Sequence, residues 1–198
     1  MSNISGKEAL QLLKEGNKRF TTGNLAVKNT GGTRREDLLN KGQKPFAVIV
    51  TCSDSRVPPE LIFDQALGDL FVIRTAGNVV DQIAVGSAEY GVEHLEVPLL
   101  VVMGHEKCGA VQATVDGGEA PGSIAAIVSK IAPSAQKARA AGASGNDLYE
   151  KCCLENIKAT IDEIKESHII KHLMKDGKLK IAGAKYHLGS GVAEFVTE

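Results

Sequence analysis

The sequence predicts an α/β fold: a mainly parallel β-sheet flanked by helices. Three observations carry this. The runs Pro45-Phe-Ala-Val-Ile-Val-Thr51, Leu70-Phe-Val-Ile-Arg74 and Val97-Pro-Leu-Leu-Val-Val-Met103 are short and apolar, without the polar alternation of half-exposed strands. Segments with helical caps and periodicity separate them. The chain's 198 residues, 43% hydrophobic and 24% charged, suit one domain with a sizeable core, expected over 1–198 with a helical arm over about 1–40.

The elements follow in order. Ser5 and Glu8 have capping-box spacing, and Leu12, Leu13 and Phe20 supply apolar positions, so Ser5 to Gly23 reads as a helix. Residues 23–32 form a polar loop. Thr33-Arg-Arg-Glu36 repeats the capping-box pattern and opens a short helix to about Leu39. The strand 45–51 comes next, and Pro58-Pro59 starts a helical segment through Phe63. The strand 70–74 ends in Ala76-Gly77-Asn78. Asp81 caps a helix to about Leu95; the strand 98–103 then precedes a helix from about Cys108 to Val115. Beyond a loop at 116–122, Ser123 to Ala141 is helical in pattern, with an interruption expected at Pro133. Asn146 caps a long helix from Asp147 to about Ser167, continued to Met174. After the turn Asp176-Gly177, the segments 179–183 and 185–188 read as a last strand and hairpin.

Composition narrows the function. Lys plus Arg (23) balances Asp plus Glu (24), and no basic stripe marks a nucleic-acid partner. The stretch Met1 to Glu8 lacks the apolar core of a signal peptide, and no run approaches the eighteen or so apolar residues of a membrane span. A cytoplasmic protein, with no membrane partner, is expected. There the four cysteines are thiols or metal ligands rather than disulfides.

The chemistry concentrates in Cys52-Ser-Asp54-Ser-Arg56 and His105-Glu-Lys-Cys108. Each half follows an apolar run, so neighbouring strands would bring both to one rim, where open α/β sheets place their ligand sites. Two thiolates and an imidazole form a three-ligand zinc set with a fourth position free for water. Zinc makes hydroxide available near neutral pH, although two thiolates acidify the water less than three histidines do. Asp54 can orient that hydroxide, and Arg56 can hold Asp54 ionised by paired hydrogen bonds. A small, uncharged electrophile fits such a site, CO₂ being the simplest case. The spacing equally suits half of a structural zinc site completed by Cys152 or Cys153, and Asp54–Arg56 could be a plain ion pair. Cys152 and Cys153 are most simply buried thiols in a helix. His168 and His172 read as solvated, His94 as a helix end, and His187 as a strand residue. Gly77-Asn78 is a turn whose amides could receive an anion.

Taken together, these motifs resemble the β-class carbonic anhydrases, whose signature is Cys-x-Asp-x-Arg followed by His-x-x-Cys. The stretches Phe71-Val-Ile-Arg-Thr-Ala-Gly-Asn78 and Ser87-Ala-Glu-Tyr90 extend the likeness over about Gly42 to Val115. The resemblance implies one Zn²⁺ per chain on Cys52, His105 and Cys108, and a catalytic pair Asp54–Arg56. It implies reversible hydration of CO₂ to bicarbonate and a proton by zinc-bound hydroxide. Gln43, Phe71 and Tyr90 match the family's substrate pocket, and Gly77 is added here as a substrate-binding amide. A homodimer or larger homo-oligomer is implied, with the N-terminal helix packed on the partner and the site at the subunit interface. One branch of the family has Trp three residues before the first Cys and places the Asp on zinc in a closed state. Ile49 stands there and the chain has no Trp, so an open site is expected, with Asp54 a ligand only if the site closes. The alternatives are hydrolysis of CS₂ or COS on the same fold, and a non-catalytic, zinc-stabilised binding protein.

Overall fold

Among the residues described by this computed structural model, 4–28 and 30–197, one five-stranded sheet organises the chain. Its strands are β1 (Ala47–Cys52), β2 (Leu70–Thr75), β3 (Leu99–His105), β4 (Lys180–Tyr186) and β5 (Ala193–Thr197), in the order β2-β1-β3-β4-β5. The first four run parallel; β5 is antiparallel to β4. β1 and β3 are buried along their whole length, which is why their sequences show no polar alternation.

Successive side chains of a strand face opposite ways, and the core divides accordingly. Val48, Val50, Leu100 and Val102 face α4 (Gln82–Glu89), α7 (Gly145–Lys165) and α8 (His168–Lys175), where Ala88, Ile157, Ile161 and Ile170 meet them. Ile49, Leu99, Val101 and Met103 face α1 (Gly6–Thr22) and α3 (Pro59–Ile62) through Ala9, Leu13 and Ile62. A third cluster lies beyond the strand ends. There α5 (Gly109–Asp116) and α6 (Ile124–Ala140) pack Val111, Val115, Ile131 and Ala135 beside Cys52 and Cys108. Among the described residues no helix is long and apolar enough to cross a membrane. Residues 1–3 and 29 of the expected N-terminal arm, and residue 198, lie outside the described residues.

α1 forms as its sequence predicts, with the Ser5–Glu8 capping box closed in both directions. Part of its apolar stripe, Ala9, Leu10 and Leu13, is covered by its own chain, while Leu12 stays exposed. Asn17 Nδ2 donates to the carbonyls of Ile62 at 3.1 Å and Gly191 at 2.8 Å, and Asn17 Oδ1 accepts from the amide of Ala193 at 2.9 Å. Gly16 permits the approach: a Cβ there would lie 1.8 Å from the carbonyl oxygen of Phe63. α2 (Gly32–Lys41) contrasts with it and buries none of its residues.

Some expectations are corrected. α2 starts at Gly32 with Gly31 as its cap, so the Thr33–Glu36 spacing does not act as a capping box. The helix after Asp81 does extend to His94 as expected, but its last turn, Tyr90–His94, is π-helical. α6 runs through Pro133 without interruption, held by burial of Ile131, Ser134 and Ala135 around it. Residues 180–186 are one strand rather than a hairpin; the antiparallel partner is β5, too short and half-exposed to announce itself in sequence.

Candidate metal centre

The register of the sheet assembles the candidate ligands. Thr51 pairs with Met103 and Cys52 with Thr75, so β1, β2 and β3 end together at one rim. Cys52 closes β1 and His105 closes β3. The chain then turns through Lys107, at φ 52°, and presents Cys108 as the N-cap of α5. The ligand atoms of Cys52, His105 and Cys108 all lie within 4.8 Å of one another, and all three residues are buried. The two sulfurs are 4.0 Å apart. Ligands at about 2.0–2.3 Å around a tetrahedral zinc stand roughly 3.3–3.8 Å apart, so little movement would admit the ion.

Two further observations test the fit. His105 Nδ1 donates to the carbonyl of Glu106 at 2.8 Å, which leaves Nε2 with a free lone pair. Among the described residues nothing hydrogen-bonds to that buried Nε2, an arrangement that costs stability unless something else binds there. The two sulfurs also stand within hydrogen-bonding distance of each other, either able to donate. The Cys52 thiol is lowered, chiefly by its contact with Cys108, with His105 and the amides of Gly77 and Asp54 adding to it against burial. Cys108 is raised, by the same contact and as a buried group beside the charge of Cys52. A dication would replace the shared proton and hold both sulfurs as thiolates.

Asp54 lies just past Cys52, with Oδ2 3.9 Å from His105 Nε2. Arg56 grips it twice, Nε to Oδ1 at 3.0 Å and Nη2 to Oδ2 at 2.7 Å, while the Arg56 amide donates to Oδ1 at 2.9 Å. These bonds, led by the guanidinium, hold the carboxyl at about 2. Arg56 Nη2 also reaches the carbonyl of Lys107 at 3.4 Å, tying the two sequence motifs together.

The remaining expected residues divide. Gly77, at φ 73°, turns its amide to Cys52 Sγ at 3.2 Å. That N–H is directed at the sulfur. Phe71 and Tyr90 meet, with ring centroids 6.1 Å apart, and the Tyr90 ring stands 4.8 Å from that of His94. Phe71 precedes Thr75 by four strand residues, about 13 Å, so the pair lies toward the amino end of the sheet. Gln43 is exposed and precedes β1 at that same end. One chain therefore does not bring these three to its own ligand set. Cys152 and Cys153 are buried, and burial raises their thiols to about 11 and about 12. Neither joins the ligand cluster, and Cys153 Sγ donates to the carbonyl of His105 at 3.4 Å. His168 and His172 stay exposed on α8.

Two kinds of residue were missed. Arg74 donates from Nε to the carbonyl of Cys52 at 3.1 Å and from Nη2 to that of Asp54 at 2.7 Å, clamping the loop that carries both. A cation ending an otherwise apolar strand was the available signal. Asn156 and Thr160 interrupt the buried stripe of α7 at helical spacing, which was the signal for them.

A family model described as "Carbonic anhydrase" matches residues 47–193. A carbonic anhydrase of Mycolicibacterium smegmatis is 42% identical over 199 residues, covering 98% of this chain and 95% of its own. Among solved structures, the β-carbonic anhydrase CafA of Aspergillus fumigatus is similar at TM-score 0.77 and 25% identity, over 96% of this chain and 89% of its own. Two tetrameric β-carbonic anhydrases of Sordaria macrospora share the fold, one matching at TM-score 0.76 and 23% identity over 83% of this chain and 88% of its own.

Proposed function

This chain belongs to the β-carbonic anhydrase family of enzymes, and from that premise we propose that it interconverts CO₂ and bicarbonate with one zinc ion held by Cys52, His105 and Cys108. The observation that carries the reading is the buried, unpartnered Nε2 of His105 facing two coupled sulfurs, beside a carboxylate already occupied by Arg56. Zinc bound there would supply a Lewis acid able to make a water nucleophilic near neutral pH. The chain's own residues do the rest. Asp54 accepts a hydrogen bond from the attacking water and aims its lone pair. A carboxyl held at about 2 cannot retain a proton at neutral pH, so Asp54 orients and the proton leaves to solvent or buffer. Arg56 fixes Asp54, and Arg74 fixes the backbone beneath both.

The CO₂ pocket is completed by Gln43, Phe71 and Tyr90 of a second copy, in a homodimer or larger assembly acting in the cytoplasm. Two observations support this: these residues stand an element's length from their own ligand set, and the Sordaria relatives are tetrameric. The test is stopped-flow CO₂ hydration on protein of measured zinc content. Hydration proportional to zinc supports the reading; a zinc-replete protein without hydration overturns it. Turnover of COS or CS₂ instead would keep the site and change the substrate.

A further inference from the structure

The face of α7 turned toward the Gly77-Asn78 turn has no part in the reaction described above. Cys152, Cys153, Ile157, Ile161 and Ile164 make that side of the helix apolar. Asn156 and Thr160 interrupt it, one turn apart, at 2% and 4% exposure. A buried amide or hydroxyl costs stability unless it is hydrogen-bonded. Both are: Asn156 Nδ2 donates to the carbonyl of Gly77 at 2.8 Å, and Thr160 Oγ1 to that of Asn78 at 3.2 Å. The two residues they grip are both left-handed, at φ 73° for Gly77 and 49° for Asn78. Gly77 enters this region freely, whereas Asn78, with a side chain, does so at a cost and persists where its surroundings hold it. Here one helix holds both carbonyls, and the turn so fixed aims the Gly77 N–H at Cys52 Sγ, 3.2 Å away. The turn is also tightly enclosed: a Cβ on Gly77 would lie 2.8 Å from Ile131 Cδ1 and 3.0 Å from Ala110 Cβ.

We propose that Asn156 and Thr160 are positioning residues that hold the Gly77 N–H on the Cys52 sulfur and thereby set how strongly that sulfur donates to the metal. The inference rests on the metal reading above. Two thiolates neutralise the formal charge of a zinc dication, which weakens it as a Lewis acid. An N–H···S hydrogen bond draws electron density from one sulfur and restores part of that acidity. Outer partners of this kind orient and tune metal ligands, and losing one typically costs about 10–100-fold in metal affinity or activity.

The experiment replaces zinc by cobalt(II) in the full chain and reads the thiolate-to-cobalt charge-transfer band, alongside zinc retention against a chelator and thermal unfolding. Thr160→Val keeps the shape and removes the hydroxyl; Asn156→Leu removes the amide; Thr160→Ser restores the hydroxyl. A sulfur freed of its hydrogen bond is a stronger donor, so Asn156→Leu and Thr160→Val move the band to longer wavelength. The same variants loosen the turn that orients Cys52, and this loss of orientation outweighs the stronger donor, so zinc retention falls about 10-fold, at the low end of outer-partner losses. Thr160→Ser returns both to the wild-type values. If Asn156→Leu does not fold, Thr160→Val and Thr160→Ser decide the matter. Variants that melt earlier yet leave the band and the zinc retention unmoved overturn the inference and reduce the two side chains to packing. A wild-type protein that takes up cobalt with no thiolate band overturns the metal reading itself, and the inference with it.

Discussion

The two ends of the sheet are built differently. At the carboxyl rim, charged and backbone groups are tied to one another across three strands: Arg74 to two carbonyls, Arg56 to Asp54 and Lys107, Gly77 to Cys52. At the amino end, Phe71 and Tyr90 touch by their rings alone among the described contacts, Gln43 is exposed, and the nearby α2 buries nothing. The rim is tied together within one chain, whereas the other end is more exposed, with an aromatic pair at its edge. On the proposed reading, the contrast separates reacting groups from substrate pocket and assigns them to different portions of the sequence.

The sharpest way to break the contrast is at the rim. Cys108→Ser should lose most of its zinc, because a neutral hydroxyl is a poor substitute for thiolate. Cys152→Ser should keep one zinc per chain, since that sulfur stands outside the ligand cluster. Full zinc in Cys108→Ser by metal analysis would sink the ligand assignment. Next in size, Asp54→Asn and Arg56→Ala should retain zinc and lose roughly 10²–10⁴-fold in CO₂ hydration, the usual cost of removing a positioned acid–base group. The double variant should be little worse than the worse single one, because the two act as a unit. Activity should rise with pH through one ionisation with a midpoint above roughly 7, given two thiolates on the metal. Asp54→Asn should lower the plateau without moving that midpoint.

The amino end invites a subtler test. Phe71→Ala should cost roughly ten-fold in activity, as expected for a truncated apolar pocket. Mixing it with Asp54→Asn and allowing subunits to exchange should then restore about one working site in four, if two-fold copies share their sites. Mixtures no better than the sum of their parts would return the pocket to a single chain. The smallest effect is on stability. Asp54 has a depressed pKa, so its pairing stabilises the fold above the ordinary carboxylate range, and the contribution is lost as pH falls through about 2. In urea unfolding with a chelator present, the gap between wild type and Asp54→Asn should be constant above about pH 5 and close as pH falls from there through about 2.

Much of the rim was legible because its geometry is local. Cys52 and His105 end strands whose apolar runs are unmistakable, and Asp54 and Arg56 are separated by two residues, so their pairing needs no tertiary information. What could not be read depends on distant parts meeting. The direction of the Gly77 amide is set by α7, some eighty residues away. The stripe of α1 looked unpartnered because its cover comes from the middle and end of the chain. Pro133 was expected to break its helix on local grounds alone, and packing against neighbouring helices overrides that preference.

Asn17 carries a consequence for the order of events in folding. It joins the first helix to Gly191 and Ala193, at sequence separations of 174 and 176 residues. During synthesis from the amino end, α1 is made with its capping box ready well before the carbonyl and amide that complete its anchor. Loop closure over such a distance is entropically slow. The helix can meet α3 early, through Ile62, whereas its second anchor closes only after the strands next to Gly191 and Ala193 exist. Slowing translation ahead of Gly191 should prolong the interval in which only the first anchor is made, and with it the exposure to aggregation and proteolysis.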